Sequence, residues 1–416
     1  MSSLEFWLST AWWVMFLFLV VSAVIDWKIS ARQLDGLNAV RLTPASLALG
    51  VDNKIILQIT NQLDRPVRLI ATDDFPEEVT ATHLPRQIEV PVKGEAAMEY
   101  SVHPVKRGEA LFGYIRLRIH SRLGLWQFLL LRGQNQRVKI YPNFRSIAQY
   151  KTLGLHRHIR QIGIHVMQRR GQGMNFHQLR EFREGDSLNQ VDWNATARMR
   201  KPIAREYQDE RDQDIVFLLD CGRRMHNKEG ELSYFDHVLN AFLLTSFVAL
   251  HQGDAVGLMT FAGNDRWLSP VKGQNSINTL LNQVYDLHSS TTTSDFAEAA
   301  QRLMNAHKKR SLVIMITNLH DEDAEDLKAC IRLLSKRHLI IVANLREPFL
   351  QDMLHQDVSH FDSALSYSGA VDFVSKRHRL LEGLRKQGVL IADALPQQLH
   401  VSLINEYLAL KRRGQI

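Results

Sequence analysis

The chain has 416 residues, 45% of them hydrophobic and 23% charged, enough for two or three domains that each bury a core. Its two cysteines, Cys221 and Cys330, exclude a disulfide framework and a Cys-rich zinc site. The net charge of +7 permits contact with anionic lipid, nucleic acid or an acidic partner and selects none of them.

Residues 4–25 (LEFWLSTAWWVMFLFLVVSAVI) carry one charge, Glu5. As a helix they rise roughly 33 Å, enough to cross a hydrocarbon core of about 30 Å. Trp7, Trp12, Trp13 and Trp27 lie towards the ends, where indoles favour the interface. A cleaved signal peptide would need a basic n-region and a shorter apolar run. Lys28, Arg32 and Arg41 follow the span and no Lys or Arg precedes it. The expectation is one transmembrane anchor over residues 1–30, in the inner (cytoplasmic) membrane, with the C-terminal domains in the cytoplasm.

Residues 37–145 predict a β-sandwich. Short β-branched or aromatic runs at 55–59, 67–70, 87–92, 98–102, 111–119, 126–131 and 137–141 are bounded by Pro, Gly, Asp or Asn. No catalytic cluster stands out among them.

Residues 146–210 predict a linker and an unusual motif. His156, His158 and His165 have no spacing that gathers three metal ligands. Residues 156–205 hold ten Lys/Arg against four Asp/Glu, a basic segment. Aromatic interleaving is sparse there (Phe176, Phe182, Trp193), so nucleic-acid binding is not expected. The stretch 169–206 is the densest in the chain. Gly171 and Gly173 allow close backbone approach, and Phe176, Leu179 and Phe182 recur at three-residue steps, which predicts a short helix. Gly185-Asp186 marks its end, and Asp192-Trp193 opens a second segment with Ala195, Ala197 and Arg198 before Pro202.

Residues 211–416 alternate strand and helix. Strands are predicted at 214–220, 255–261, 312–317, 339–345 and 389–392. Helices are predicted at 232–251, 277–287, 296–307 (Ser294 or Asp295 as N-cap), 324–336, 358–387 and 398–411. The fold class is α/β, a doubly wound parallel sheet, whose ligands sit at the C-terminal strand ends. The loops after Asp220, Leu287 and Thr317 are therefore where chemistry is sought. No P-loop, Gly-x-Ser-x-Gly elbow or His-Glu-x-x-His occurs in the chain.

Sheet order and loop contents resemble a von Willebrand factor A domain. That resemblance implies a Mg²⁺ site built from an Asp-x-Ser-x-Ser loop, a Thr in a second loop and an Asp in a third. Asp220 is retained here, but Gly222 and Arg224 stand at the serine positions. The second loop keeps hydroxyls, including Thr292, and the third has Asn318 at the usual Asp position with Asp321 three residues on. The exchange predicts a degenerate site without Mg²⁺, in which Arg224 fills the vacated position and satisfies Asp220.

Residues Gly173, Phe176, Leu179-Arg180-Glu181-Phe182, Gly185-Asp186, Val191-Asp192-Trp193, Ala195, Ala197-Arg198 and Arg205-Glu206 resemble the hallmark of the domain of unknown function 58 family. Arg107-Gly108, Leu123-Gly124-Leu125-Trp126 and Tyr141-Pro142 are similar to its upstream segment, and Gly388-Val389 with Tyr407–Lys411 to its ending. One span here, where two are common, is a departure. The resemblance implies a membrane-tethered partner of MoxR-type AAA+ ATPases that assembles or remodels client proteins, with no reaction assigned. Two readings of the motif stay open. In one, Asp186, Asp192 and Arg198 are ion-paired and Trp193 is buried. In the other, Arg180, Glu181, Asp186, Asp192 and Arg198 form an exposed face for a partner. The expected function is a non-enzymatic adaptor. The alternative is a hydrolytic or transferase enzyme using Asp186 and Asp192, against which stands the lack of a converging His, Cys or Ser nucleophile.

Overall fold

The computed structural model describes residues 2–143, 175–183, 191–208, 213–358 and 360–416. Two compact units divide the chain, Met1–Asn143 and Phe144–Ile416.

The first unit opens with helix α1 (Ser2–Gln33), which runs into a short helical turn (Leu34–Gly36), and the helical stretch Trp7–Gly36 is long and apolar enough to cross a membrane. Eleven strands follow: β1 (Leu37–Leu42), β2 (Ser46–Ala48), β3 (Asn53–Asn61), β4 (Val67–Asp73), β5 (Val79–Thr82), β6 (Arg86–Val90), β7 (Glu95–Pro104), β8 (Gly108–Phe112), β9 (Ile115–His120), β10 (Gln127–Arg132) and β11 (Gln136–Tyr141). They form sheets ordered β1-β3-β7-β5, β10-β9-β4-β6 and β2-β11-β8. Alternation buries one side of several strands, for example Ile115, Leu117 and Ile119 of β9, while Arg116 and Arg118 face out.

Sequence reading misses β1, β2 and β5 and fuses β8 with β9. The break between the last two is a change of sheet. β8 pairs with β11 and β9 pairs with β4. At the switch, a Cβ on Gly113 would lie 2.4 Å from Asp74 Oδ2, so any larger residue there would have to displace the Asp74 side chain.

A buried polar cluster joins the two four-stranded sheets. Arg41 on β1 donates from Nε to Asp73 Oδ2 on β4 at 2.7 Å and from Nη2 to the second carboxylate oxygen. The Tyr100 hydroxyl on β7 donates to the same carboxylate, and Arg41 Nη2 also reaches the Gly113 carbonyl at 2.7 Å. The Arg41 and Asp73 side chains are 3% and 0% exposed, so neither charge has water to fall back on.

The second unit contains β12 (Asn175–Glu181), α2 (Trp193–Met199), β13 (Ile203–Gln208), β14 (Asp214–Asp220), β15 (Lys228–Glu229), β16 (Leu232–Ser233), α3 (Tyr234–His251), β17 (Ala255–Phe261) and β18 (Trp267–Val271). It continues with α4 (Ile277–Val284), α5 (Phe296–Ala306), β19 (Leu312–Thr317), α6 (Ala324–Leu334), β20 (Leu339–Leu345), α7 (Pro348–His355), α8 (Phe361–Lys386), β21 (Leu390–Ala394) and α9 (Leu399–Arg413). The six-stranded sheet runs β18-β17-β14-β19-β20-β21.

That sheet is mixed, not wholly parallel as expected, because β18 returns antiparallel to β17. Pro270 suits an edge strand, where a missing N–H costs no ladder bond. Opposite it, Gly257 admits the close approach, since a Cβ there would meet the Leu268 carbonyl oxygen at 2.9 Å. Both faces are covered. Phe217 and Leu219 of β14 pack with Phe242 of α3 and Tyr407 of α9 on one face. Val216 and Leu218 pack with Phe296 of α5 and Leu327 of α6 on the other. β14 is thus buried on both sides, which explains its unbroken apolar run. Helix α7 also escaped the sequence reading. It starts with Pro348 after Glu347, ahead of the long α8.

Asp73→Ala strips Arg41 of its partner and is expected to destabilise the first unit by about 3–5 kcal/mol. The combined change Arg41→Met and Asp73→Leu should cost far less. Denaturant unfolding of the two variants checks the difference.

Candidate functional site

The C-terminal ends of β14, β19 and β20 carry a polar cluster in an otherwise apolar sheet. Asp220 closes β14 and is 1% exposed. Its Oδ1 accepts from the Gly222 amide at 2.8 Å and from Ser294 Oγ at 2.7 Å. Its Oδ2 accepts from Thr317 Oγ1 at 2.7 Å. Burial pushes the Asp220 carboxyl above the usual carboxylate range, against the pull of Thr317, Ser294, the Gly222 amide and the Arg224 charge.

Arg224 does not satisfy Asp220, contrary to expectation. Its guanidinium pairs with Asp323 and Glu322 and donates to the Asn318 carbonyl at 3.2 Å. Asn318 is turned away from the cluster too, donating from Nδ2 to the Leu345 carbonyl at 2.9 Å and to Glu347. Glu347 is buried and pairs with Arg377 from α8. Burial alone would raise the Glu347 carboxyl, but hydrogen bonds from His320 and Asn318 and the Arg377 charge outweigh it and hold it low.

The side chains of the remaining residues expected in a metal site are turned to other partners, although the Thr292 carbonyl lies against the first loop and accepts from Arg223 N at 3.0 Å. Thr292 is exposed and donates to the Ala262 carbonyl at 2.7 Å. Asp321 lies 3.7 Å from Lys376 Nζ. Gly222 is packed so closely that a Cβ would lie 2.4 Å from Ser294 Oγ, so a serine cannot replace it without moving Ser294 off Asp220. This arrangement does not fit Mg²⁺, which needs hard oxygens free to converge on it. Asp220 is already surrounded by three protein donors, the Thr292 side chain is turned to a main-chain carbonyl, and a guanidinium stands between the first and third loops.

Sequence reasoning missed Ser294, Thr317, Asp323, Glu347 and Arg377. Ser294 was visible as one of two N-cap candidates. Asp295 takes the cap, accepting from Glu298 N at 2.8 Å, which leaves Ser294 for Asp220.

Within the family-like motif, Gly173, Gly185 and Asp186 lie outside the described residues. Phe176, Arg180 and Glu181 stand on a strand, not the expected helix. β12 pairs antiparallel with β13, Leu179 opposite Arg205 and Glu181 opposite Ile203. A three-residue apolar period over so short a window does not separate the two states, and cross-strand pairing decides it. The second segment, opened by Asp192-Trp193, contains the helix α2. Asp192 caps α2 by accepting from Ala195 N at 2.9 Å, and its other oxygen accepts from Arg205 Nε at 2.8 Å. Together the Ala195 amide and Arg205 hold Asp192 below the usual carboxylate range. Trp193 is not buried: it is 69% exposed, and Met199 at the far end of α2 is 65% exposed. Arg198, in the last turn of α2, is also exposed, while Glu181 pairs with Lys201 at 3.1 Å.

Gly222→Ser, which places a hydroxyl where the von Willebrand factor A resemblance expects one, should destabilise the second unit by about 1–3 kcal/mol through overpacking. Calorimetry should show no gain on adding Mg²⁺ to that variant. The pH dependence has opposite signs at the two buried acids. Asp220 keeps its proton longer when folded, so its contribution to stability declines as pH rises from the unfolded value, about 3.9, through the folded one. Glu347 stabilises above its unfolded value, about 4.3, and that contribution is lost as pH falls through its depressed folded value. Asp220→Asn should therefore raise neutral-pH stability, and Glu347→Gln should lower it; thermal melts from pH 3 to 8 read both.

The sequence model of the family described as "Protein of unknown function DUF58" matches residues 178–359. None of the curated proteins matches the chain. Among solved structures, native alpha-2-macroglobulin from Escherichia coli, spanning domain MG7 to the C-terminus, is 16% identical with a TM-score of 0.22. That match covers 26% of this chain and 16% of the other. An aerotolerance-related membrane protein from Bacteroides fragilis is 17% identical over 32% of this chain and 67% of its own, with a TM-score of 0.24. Scores this low establish no shared fold. The family match runs from within β12 to the segment before α8, takes in every loop of the polar cluster, and supports the DUF58 family, whose function is unknown, for this chain.

Proposed function

We propose that the chain is a membrane-anchored, non-enzymatic adaptor. α1 spans the inner membrane, a β-sandwich follows, and a von Willebrand factor A-like domain in the cytoplasm docks a MoxR-type AAA+ ATPase or its client. Lys28 and Arg32 after the apolar segment favour that orientation. The reading takes the strand-end cluster as a metal site converted into an internal latch. Asp220 is saturated by protein donors and Arg224 by carboxylates, so the loops are held rigid without an ion.

The observation that carries docking is Trp193. An indole 69% exposed on a short helix, with Met199 and Leu179 also exposed nearby in the chain, is left largely uncovered by the described residues. Exposed tryptophan beside arginine is the composition of interface anchors. The enzyme alternative is weakened because Asp192 is engaged as a helix cap and an ion-pair partner of Arg205, which leaves it ill placed to exchange protons with a substrate.

Trp193→Ala should leave the melting temperature unchanged and abolish capture of a co-expressed MoxR-type ATPase by the full chain, read by crosslinking in membranes. Asp192→Ala should lower stability, because the cap of α2 goes with it. Undiminished capture by Trp193→Ala would sink the docking proposal.

A further inference from the structure

Where α1 leaves its apolar segment, it is clasped by the turn between β9 and β10. Trp126 Nε1 donates to the Ala23 carbonyl at 2.8 Å, and the Leu123 amide donates to Asp26 Oδ1 at 3.1 Å. The Arg122 amide donates to Ser30 Oγ at 3.2 Å. Asp26 and Ser30 are buried by this contact, while Leu123, Leu125 and Trp126 remain exposed beside the helix. An exposed Trp and two leucines at this depth match the residue types that settle at the edge of a bilayer.

A cavity of about 250 Å³ opens next to the clasp. Arg32 from α1, Arg65 from the turn between β3 and β4, and Arg122 from the clasp line it, with Gln62 and Asp64. Asp64 is already paired with Lys93 at 2.8 Å. Arg65 Nε is buried and has no hydrogen-bond partner among the described residues. Arg65 is half-buried while Arg32 and Arg122 are exposed, so an anion entering the cavity would meet three guanidiniums at once. Burial and the neighbouring Arg122 charge both act against the Arg65 cation, with Asp26 as the opposing charge. The depth fits a headgroup. Arg32 lies seven residues beyond Ile25, about 10 Å along the helix, and helical side chains lean back towards the N-terminus, here towards the membrane. The polar layer outside the hydrocarbon is about 5–7 Å thick.

We propose that the cavity bounded by Arg32, Arg65 and Arg122 binds the phosphate of an anionic phospholipid headgroup. The forked guanidinium donors match phosphate oxygens in pairs, which a lone lysine could not do. The site ties the β-rich unit to the membrane surface, so that α1 is not the sole attachment. It rests on α1 lying in a bilayer and is independent of any ATPase.

The test uses the full chain in dodecyl maltoside micelles. Thermal melts are recorded during titration with dioleoylphosphatidylglycerol, with dioleoylphosphatidylcholine and with inorganic phosphate at constant ionic strength. The anionic phosphatidylglycerol should raise the melting temperature saturably, and the other two should not. Arg65→Gln and Arg122→Gln should each weaken that response roughly tenfold. Arg137→Gln, an exposed arginine that does not line the cavity, should leave it intact. If Arg65→Gln fails to fold, Arg122→Gln decides, because its side chain is at the rim. An unchanged response in Arg122→Gln overturns the site. A response that inorganic phosphate reproduces and saturates overturns the lipid assignment in favour of a free anion. Extraction of the chain from membranes by alkaline carbonate would instead refute the span, which separates that failure from failure of the cavity.

Discussion

The second unit depends on what happens at the end of one strand. β14 is buried on both faces, and its last residue is a carboxylate with no water to solvate it. A buried carboxylate is tolerated only when donors surround it. Here the donors come from the loop after β14 itself (Gly222), from the loop before α5 (Ser294) and from the end of β19 (Thr317). Satisfying one acid therefore fixes three loops. The neighbouring pairs extend the same logic outward: Arg224 holds the loop before α6 through Asp323, and Glu347 brings in α8 through Arg377.

The first unit uses the same principle between sheets. Apolar alternation makes each sheet one-sided, but it does not say which sheet faces which or in what register. The Arg41, Asp73 and Tyr100 cluster supplies that specificity, because a slip of either sheet would strand a buried charge. In both units, then, burial drives condensation and a small number of polar contacts choose the arrangement.

The family-like stretch shows a different economy. Its described residues form an antiparallel pair, β12 and β13, with α2 inserted between them, and Asp192 stitches the insert down through the α2 cap and Arg205. The effect is to present Trp193 and Met199 on a braced helix, not on a loose loop. Bracing an exposed apolar pair reduces the entropy lost when a partner covers it.

The apolar helix, the β-rich character of residues 37–145 and five strands of the second sheet were legible in the sequence, because each is written in a local pattern of burial. The strands it concealed include β1, β2, β5 and β18, which are short or lie at sheet edges; β12 reads as a helix, and α7 goes unread. Asp220 was legible as a strand-terminal acid. Its partners were not, since Ser294 and Thr317 lie 74 and 97 residues away and nothing local distinguishes them from other hydroxyls. The same holds for Arg224, whose choice of Asp323 over Asp220 depends on where the loop before α6 lands. Trp193 was named from sequence, but only the packing of α2 shows it facing outward. Local order follows from near neighbours along the chain; which charges meet is settled by the folded sheet, because opposite ions pair by distance in space.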